Sequence, residues 1–128
     1  MEKRELVRKV CLSLGLLQPG DSRDIIVDVL MVLDNSRKEK KQLNSDEIKA
    51  KVEENRKKHN LELKGIAESN IRRQLKRLRD LMLVDKKENR YNLSEFLSIK
   101  EIFAAKIEKF LIPQCVERVK DYLAELDK

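Results

Sequence analysis

Apolar residues recur at intervals of three and four along almost the whole chain, and this period confines it to a mainly helical fold. From Glu2 to Leu17 the face is Leu6, Val7, Val10, Leu14 and Leu17, with Pro19-Gly20 as the stop. Asp21 or Ser22 is placed to cap a second helix, and its stripe of Ile25, Ile26, Val29, Leu30 and Leu33 is broad enough for a central core helix. The Arg- and Lys-rich run from Asn35 to Gln42 closes it. Leu43 then precedes Asn44-Ser45-Asp46-Glu47, where Asn44 caps a third helix, Glu47 reaches back as its capping-box partner, and Ile48 and Val52 point inward. Composition agrees: 3 Gly, 2 Pro and 4% aromatics against 41% charged residues favour charge-laced helices over a many-stranded sheet. With 128 residues and 41% hydrophobic content, the chain supports one core and a few peripheral helices.

After a polar turn from Lys57 to Gly65, a further helical pattern runs from Ile66 to Val84. Ile71, Leu75, Leu78 and Met82 form its narrow packing stripe; Ser69, Arg73, Lys76 and Asp80 lie opposite, flanked by Asn70 and Arg77. Leu83 to Lys87 and Arg90 to Leu93 read as two short strands of a hairpin, joined by Glu88-Asn89 with Asn89 at positive φ. Ser94 is expected to cap the last helical region, which holds Leu97, Ile102, Phe103, Ile107, Phe110 and Leu111, then Val116, Val119, Leu123 and Leu126. Pro113 divides the two sets and predicts two helices or one bent helix.

Several function classes find no footing in these residues. No stretch approaches the ~18–20 apolar residues of a membrane span, and Met1 to Leu17 is no signal-type run, so a cytoplasmic protein with no membrane partner is expected. Cys11 and Cys115 fall within helical patterns without metal-ligand spacing and read as buried thiols; His59 stands alone, so no zinc, and no cofactor of any kind, is expected. A phosphate-cradling loop, a His-centred triad and a carboxylate pair are all missing, which argues against an enzyme.

Charge is distributed unevenly. Residues 64–93 hold 9 basic and 4 acidic side chains, whereas residues 1–63 hold 14 and 12, and residues 94–128 hold 6 and 7. Almost all of the net charge of +6 therefore falls on one helix and one hairpin, the electrostatic footprint of a polyanion-binding surface.

The order of these elements resembles the winged helix-turn-helix superfamily of bacterial and archaeal transcriptional regulators. The resemblance is carried by Leu43-Asn44-Ser45-Asp46-Glu47-Ile48, by Ser69-Asn70-Ile71-Arg72-Arg73-Gln74-Leu75-Lys76-Arg77-Leu78, and by Leu81-Met82-Leu83-Val84-Asp85-Lys86-Lys87. It implies a mainly α fold with a small β-hairpin wing in a winged helix-turn-helix domain (21–94), and it leaves outside an N-terminal helix (1–20) and a C-terminal helical segment (95–128). The apolar surface of these two together exceeds what such a domain covers, so 95–128 is expected to be a dimerisation segment. The resemblance also implies that Ser69, Asn70, Arg72, Arg73, Lys76 and Arg77 face a major groove, with Lys86, Lys87 and Arg90 on phosphate or minor groove. Two departures stand out. Met82 occupies a position where the family has Gly, so either a positive φ is strained there or the helix runs on. The turn before the basic helix is also longer than the three or four residues of a minimal motif.

Base-edge chemistry favours Asn70, for adenine, and Arg73, for guanine, as readers, with Lys76, Arg77, Lys86 and Arg90 fixing register on phosphates. The expected function is a sequence-specific, dimeric DNA-binding regulator, paired through its C-terminal helices. The alternatives are a non-enzymatic protein-interaction module on the same scaffold and a low-specificity DNA-coating protein.

Overall fold

Helix α2 (Ile25–Arg37) is the axis of the molecule: every residue from Ile25 to Leu33 is buried, so it packs on all sides. The computed structural model describes residues 1–20 and 23–128. Around α2 stand α1 (Lys3–Ser13), α3 (Ser45–Lys58), α4 (Glu68–Asp80) and a three-stranded antiparallel sheet of β1 (Leu43–Asn44), β2 (Val84–Lys87) and β3 (Arg90–Leu93). The strand order is β1-β3-β2, with Leu43 opposite Tyr91 and Val84 opposite Leu93. Leu43, Val84, Tyr91 and Leu93 close one side of the core, joined there by Ile48 and Val52 of α3 and Ile71, Leu75 and Leu78 of α4.

Local chemistry sets the boundaries. At the start of α3, Asn44 Oδ1 accepts from Glu47 N at 2.8 Å and Glu47 Oε1 accepts from Asn44 N at 3.0 Å, the reciprocal box read from the sequence. The hairpin turns on Glu88 (φ 51°) and Asn89 (φ 63°), two consecutive left-handed residues as a type I′ turn requires. Four helices end on one device, a left-handed residue whose N–H and the next residue's N–H fold back onto the last turn. These residues are Gly15, Lys40, Asn60 and Met82. At the first, Leu16 N donates to Cys11 O at 2.9 Å; at the last, Leu83 N donates to Leu78 O at 3.0 Å.

These ends correct two expectations. Helix α1 stops at Ser13, not Leu17, because Gly15 (φ 76°) takes the capping conformation; Leu16 and Leu17 still bury, but as the chain leaving the helix. Helix α4 stops at Asp80, so Met82 does not belong to its packing stripe and takes the strained alternative, φ 64°. Leu6 and Val10, expected in the core, are partly exposed. The expected cap at Asp21 or Ser22 lies outside the described residues; the residue that precedes α2 is Asp24, whose side chain makes no cap bond.

Asp24 is committed elsewhere. Arg4 of α1 and Arg56 of α3 converge on Asp24 and Asp28: Arg4 reaches Asp28 at 3.0 Å and Asp24 at 3.1 Å, and Arg56 Nη1 reaches Asp28 at 2.7 Å and Asp24 at 2.9 Å. Asn55 adds a bond to Asp28, and Arg56 Nε donates to the Glu62 carbonyl. Burial pushes the Asp24 carboxyl up, but the hydrogen bonds and charges of Arg56 and Arg4 outweigh it and hold the group below the ordinary carboxylate range. Every buried side-chain nitrogen and oxygen among the described residues has a partner. The cluster therefore clamps α1, α2, α3 and the connection to α4 into one orientation.

The C-terminal region departs from expectation in three ways. Ser94 is buried in a tight turn (Ser94–Phe96) with Glu95 and Phe96 at positive φ; the cap is Ser98, boxed with Glu101, and it opens α5 (Ile99–Ile102). A π-helical stretch (Phe103–Leu111) follows, whose wider turn puts Ile102 and Ile107, five apart, on the buried side. The helix then continues without a break as α6 (Ile112–Leu126), with Pro113 in its first turn. Proline needs slack in the turn before it, and the wide turns of the π stretch supply that slack. Cys115, expected buried, is exposed on α6.

Candidate nucleic-acid interface

Helix α4 seats Ile71, Leu75 and Leu78 on α2 and α3, which leaves the opposite face outward. Ser69, Arg72, Arg73, Lys76, Arg79 and Asp80 are exposed there. The hairpin stands beside the flank that carries Arg72, Lys76 and Arg79. A groove of about 480 Å³ between them is lined by Asn44, Ser45 and Asp46 at the start of α3, Glu68 and Arg72 of α4, and Lys86, Asn89 and Tyr91 of the hairpin. A second concavity brings Lys76, Arg79 and Lys86 together with Asp80 and Asp85. The structure thus brings Arg72, Lys76 and Arg79 of α4 together with Lys86 of the hairpin, whereas Lys87 and Arg90, at the adjacent ladder position, line neither concavity.

Several of these cations carry internal bonds and others carry none. Arg72 Nη2 pairs with Glu68 at 2.6 Å, where Ser45 Oγ also donates, and Lys76 pairs with Asp80 at 3.2 Å. Both are exposed i,i+4 pairs worth only about 0.3–0.5 kcal/mol each, so a phosphate readily replaces the carboxylate. Lys86 Nζ lies 5.7 Å from the Tyr91 ring centroid, held over the wing by a cation–π contact. The side chains of Arg73, Arg79, Lys87 and Arg90 make no hydrogen bond or ion pair with any described residue. Lys87 and Arg90 also face one another directly across the hairpin. Like charges in opposed cross-strand positions destabilise a sheet, so this pair has no folding rationale of its own.

Asn70 and Arg77 are engaged within the molecule. The Asn70 amide donates to Gly65 O at 2.7 Å and its Oδ1 accepts from Gln74 at 3.0 Å, which pins the turn that launches α4. Gly65 is required in that turn: its φ is +88°, and a Cβ there would lie 3.1 Å from Ile25 Cγ1. Arg77 is half-buried on the same flank, donating to Gln74 Oε1 at 2.9 Å. Its charge reaches Cys11, whose thiol burial pushes up to about 12 in spite of Arg77 and Arg4, so that thiol stays protonated. Sequence reasoning missed Arg79: the packing stripe placed it on neither the core nor the outer face, yet it lines the wing side.

Among the described residues no group of three or more His, Cys, Asp and Glu side chains is placed to hold a metal ion, and no helix is long and apolar enough to cross a membrane. Comparisons with protein-family models, curated proteins and solved structures give no match to this chain.

Proposed function

We propose that the protein is a sequence-specific double-stranded DNA-binding regulator that acts as a dimer, with α3, α4 and the β2–β3 hairpin as a winged helix-turn-helix. The observation that carries this reading is the set of exposed cations whose side chains have no internal counter-charge, Arg73 and Arg79 on α4 and Lys87 and Arg90 on the β2–β3 hairpin. A duplex supplies what they lack. Helix α4 enters the major groove with Arg73 as base reader, since a guanidinium pairs bidentately with guanine O6 and N7. Ser69, Arg72 and Lys76 hold the flanking phosphates, and Lys86, Lys87 and Arg90 hold the backbone or minor groove beside the wing. Asn70 acts indirectly, by fixing the tilt of α4.

Selection from a random duplex library followed by fluorescence anisotropy tests this reading. Arg73→Ala should cost the selected sequence about 1–3 kcal/mol and flatten its preference at one position, while Lys87→Ala should weaken every duplex alike. Failure of the wild-type protein to bind any duplex at low salt ends the proposal. A protein-docking role for the same face has one observation in its favour, the pairing of Arg72 and Lys76 with Glu68 and Asp80. It predicts no duplex binding and retention by an acidic protein surface instead.

A further inference from the structure

Helix α6 buries none of its fifteen residues, yet its sequence is not that of a solvated helix. Ile112, Val116, Val119, Leu123 and Leu126 follow one another at spacings of four, three, four and three, the a/d pattern of a two-stranded coil. Each remains half-exposed or more, from 47% at Ile112 to 76% at Leu126. At 100° per residue these five fall within about 80° of one another, with Glu117, Asp121 and Glu125 on the far side. The seam is therefore dressed for one partner and the opposite face for water.

We infer that α6 pairs in parallel with α6 of a second copy, Ile112, Val119 and Leu126 in the d layers and Val116 and Leu123 in the a layers. This rests on the dimer reading above and specifies its interface. Parallel register is favoured because all five apolar residues then meet their own counterparts. An antiparallel overlap pairs only four, leaving either Ile112 or Leu126 without an apolar neighbour. Parallel pairing also sets Tyr122 of one copy, a g position, beside Asp127 of the other, an e position, where the phenol can donate to the carboxylate. The exposed area of the five seam residues and Tyr122 is on the order of 700 Å² per protomer, close to the ~800 Å² per partner of a standard specific interface. The pairing holds both bodies at the same end of the coil, side by side.

Sedimentation velocity over a concentration series of the full chain tests the partner. The wild type should shift from monomer to dimer as concentration rises. The double variant Val116→Glu with Leu123→Glu should remain monomeric with the thermal midpoint that the wild type shows at concentrations where it is monomeric, since α6 buries none of its residues in the monomer. Direction is tested in a Cys115→Ser background. Leu123→Cys should form a disulfide-linked dimer under mild oxidation at a concentration where the exposed control Glu117→Cys does not. A wild type monomeric at every concentration, a dimer that survives the double variant, or cross-linking equal in the two cysteine variants overturns the inference. Duplex binding separates the two readings. If the wild type binds DNA but never dimerises, this inference and the dimer reading it rests on fail while duplex binding stands; if it dimerises but binds no duplex, only the DNA reading fails.

Discussion

Replacing Arg56 with Met removes the guanidinium and keeps a stem of similar length. Three bonds go with it: to Asp28 at 2.7 Å, to Asp24 at 2.9 Å and to the Glu62 carbonyl. The Asp28 side chain has no exposure to solvent and is left with Arg4 and Asn55 alone. Removing one member of a buried ionic cluster costs about 3–5 kcal/mol, because the remaining carboxylates stay desolvated with less compensating charge. In a chain of this length that is a fall of roughly 10–20 °C in thermal midpoint. Circular dichroism melts and urea titrations at pH 7 measure it, with Lys57→Met as the control. Lys57 is the neighbouring cation, exposed and paired only with Glu53, so its loss should stay below about 0.5 kcal/mol. The gap between wild type and Arg56→Met should narrow in acid. Asp24 titrates below its ordinary value of 3.8 in the fold, so its contribution is complete above pH 3.8 and is lost as the pH falls through the folded value. A loss at pH 7 of less than about 1 kcal/mol would refute the claim that this cluster clamps α1 and α3 to α2.

Met82→Gly should stabilise the protein by up to about 1 kcal/mol in urea titration, because glycine relieves the left-handed conformation at that helix end; Met82→Val should lose a similar amount. Asn70→Ala should cost about 1–2 kcal/mol of stability and weaken binding to all duplexes in proportion, whereas a base-reading residue would change the preferred sequence instead. Gly65→Ala should be the more damaging of the two, read as a drop in melting temperature, since it meets both a positive φ and the Ile25 side chain.

Much of the architecture was legible because its signals are local. The broad stripe of α2, the Asn44–Glu47 box and the Glu88-Asn89 turn each act within a few residues, and each stands where the sequence puts it. What escaped depends on partners distant in sequence. Nothing near Arg4 or Arg56 in the chain announces Asp24 and Asp28 on another helix. Asn70 read as a base reader because its tie to Gly65 depends on the path of a long turn. Apolar periodicity alone could not stop α1 at Gly15 or α4 before Met82, since backbone caps decide both ends. The slack that carries α6 through Pro113 comes from π-helical turns, and an α-helical wheel has no place for them.

The DNA reading requires Arg72, Lys76, Lys86, Lys87 and Arg90 to meet a phosphate backbone. Measuring duplex affinity from about 50 to 200 mM salt tests it most directly, because each phosphate neutralised contributes about −0.9 to the slope of log K against log salt. With about five such contacts in each protomer of the dimer, a slope of about −9 is expected, reduced by about two units in Lys87→Ala, which removes one contact from each protomer. An affinity indifferent to salt, or a slope that Lys87→Ala leaves unchanged, would contradict it.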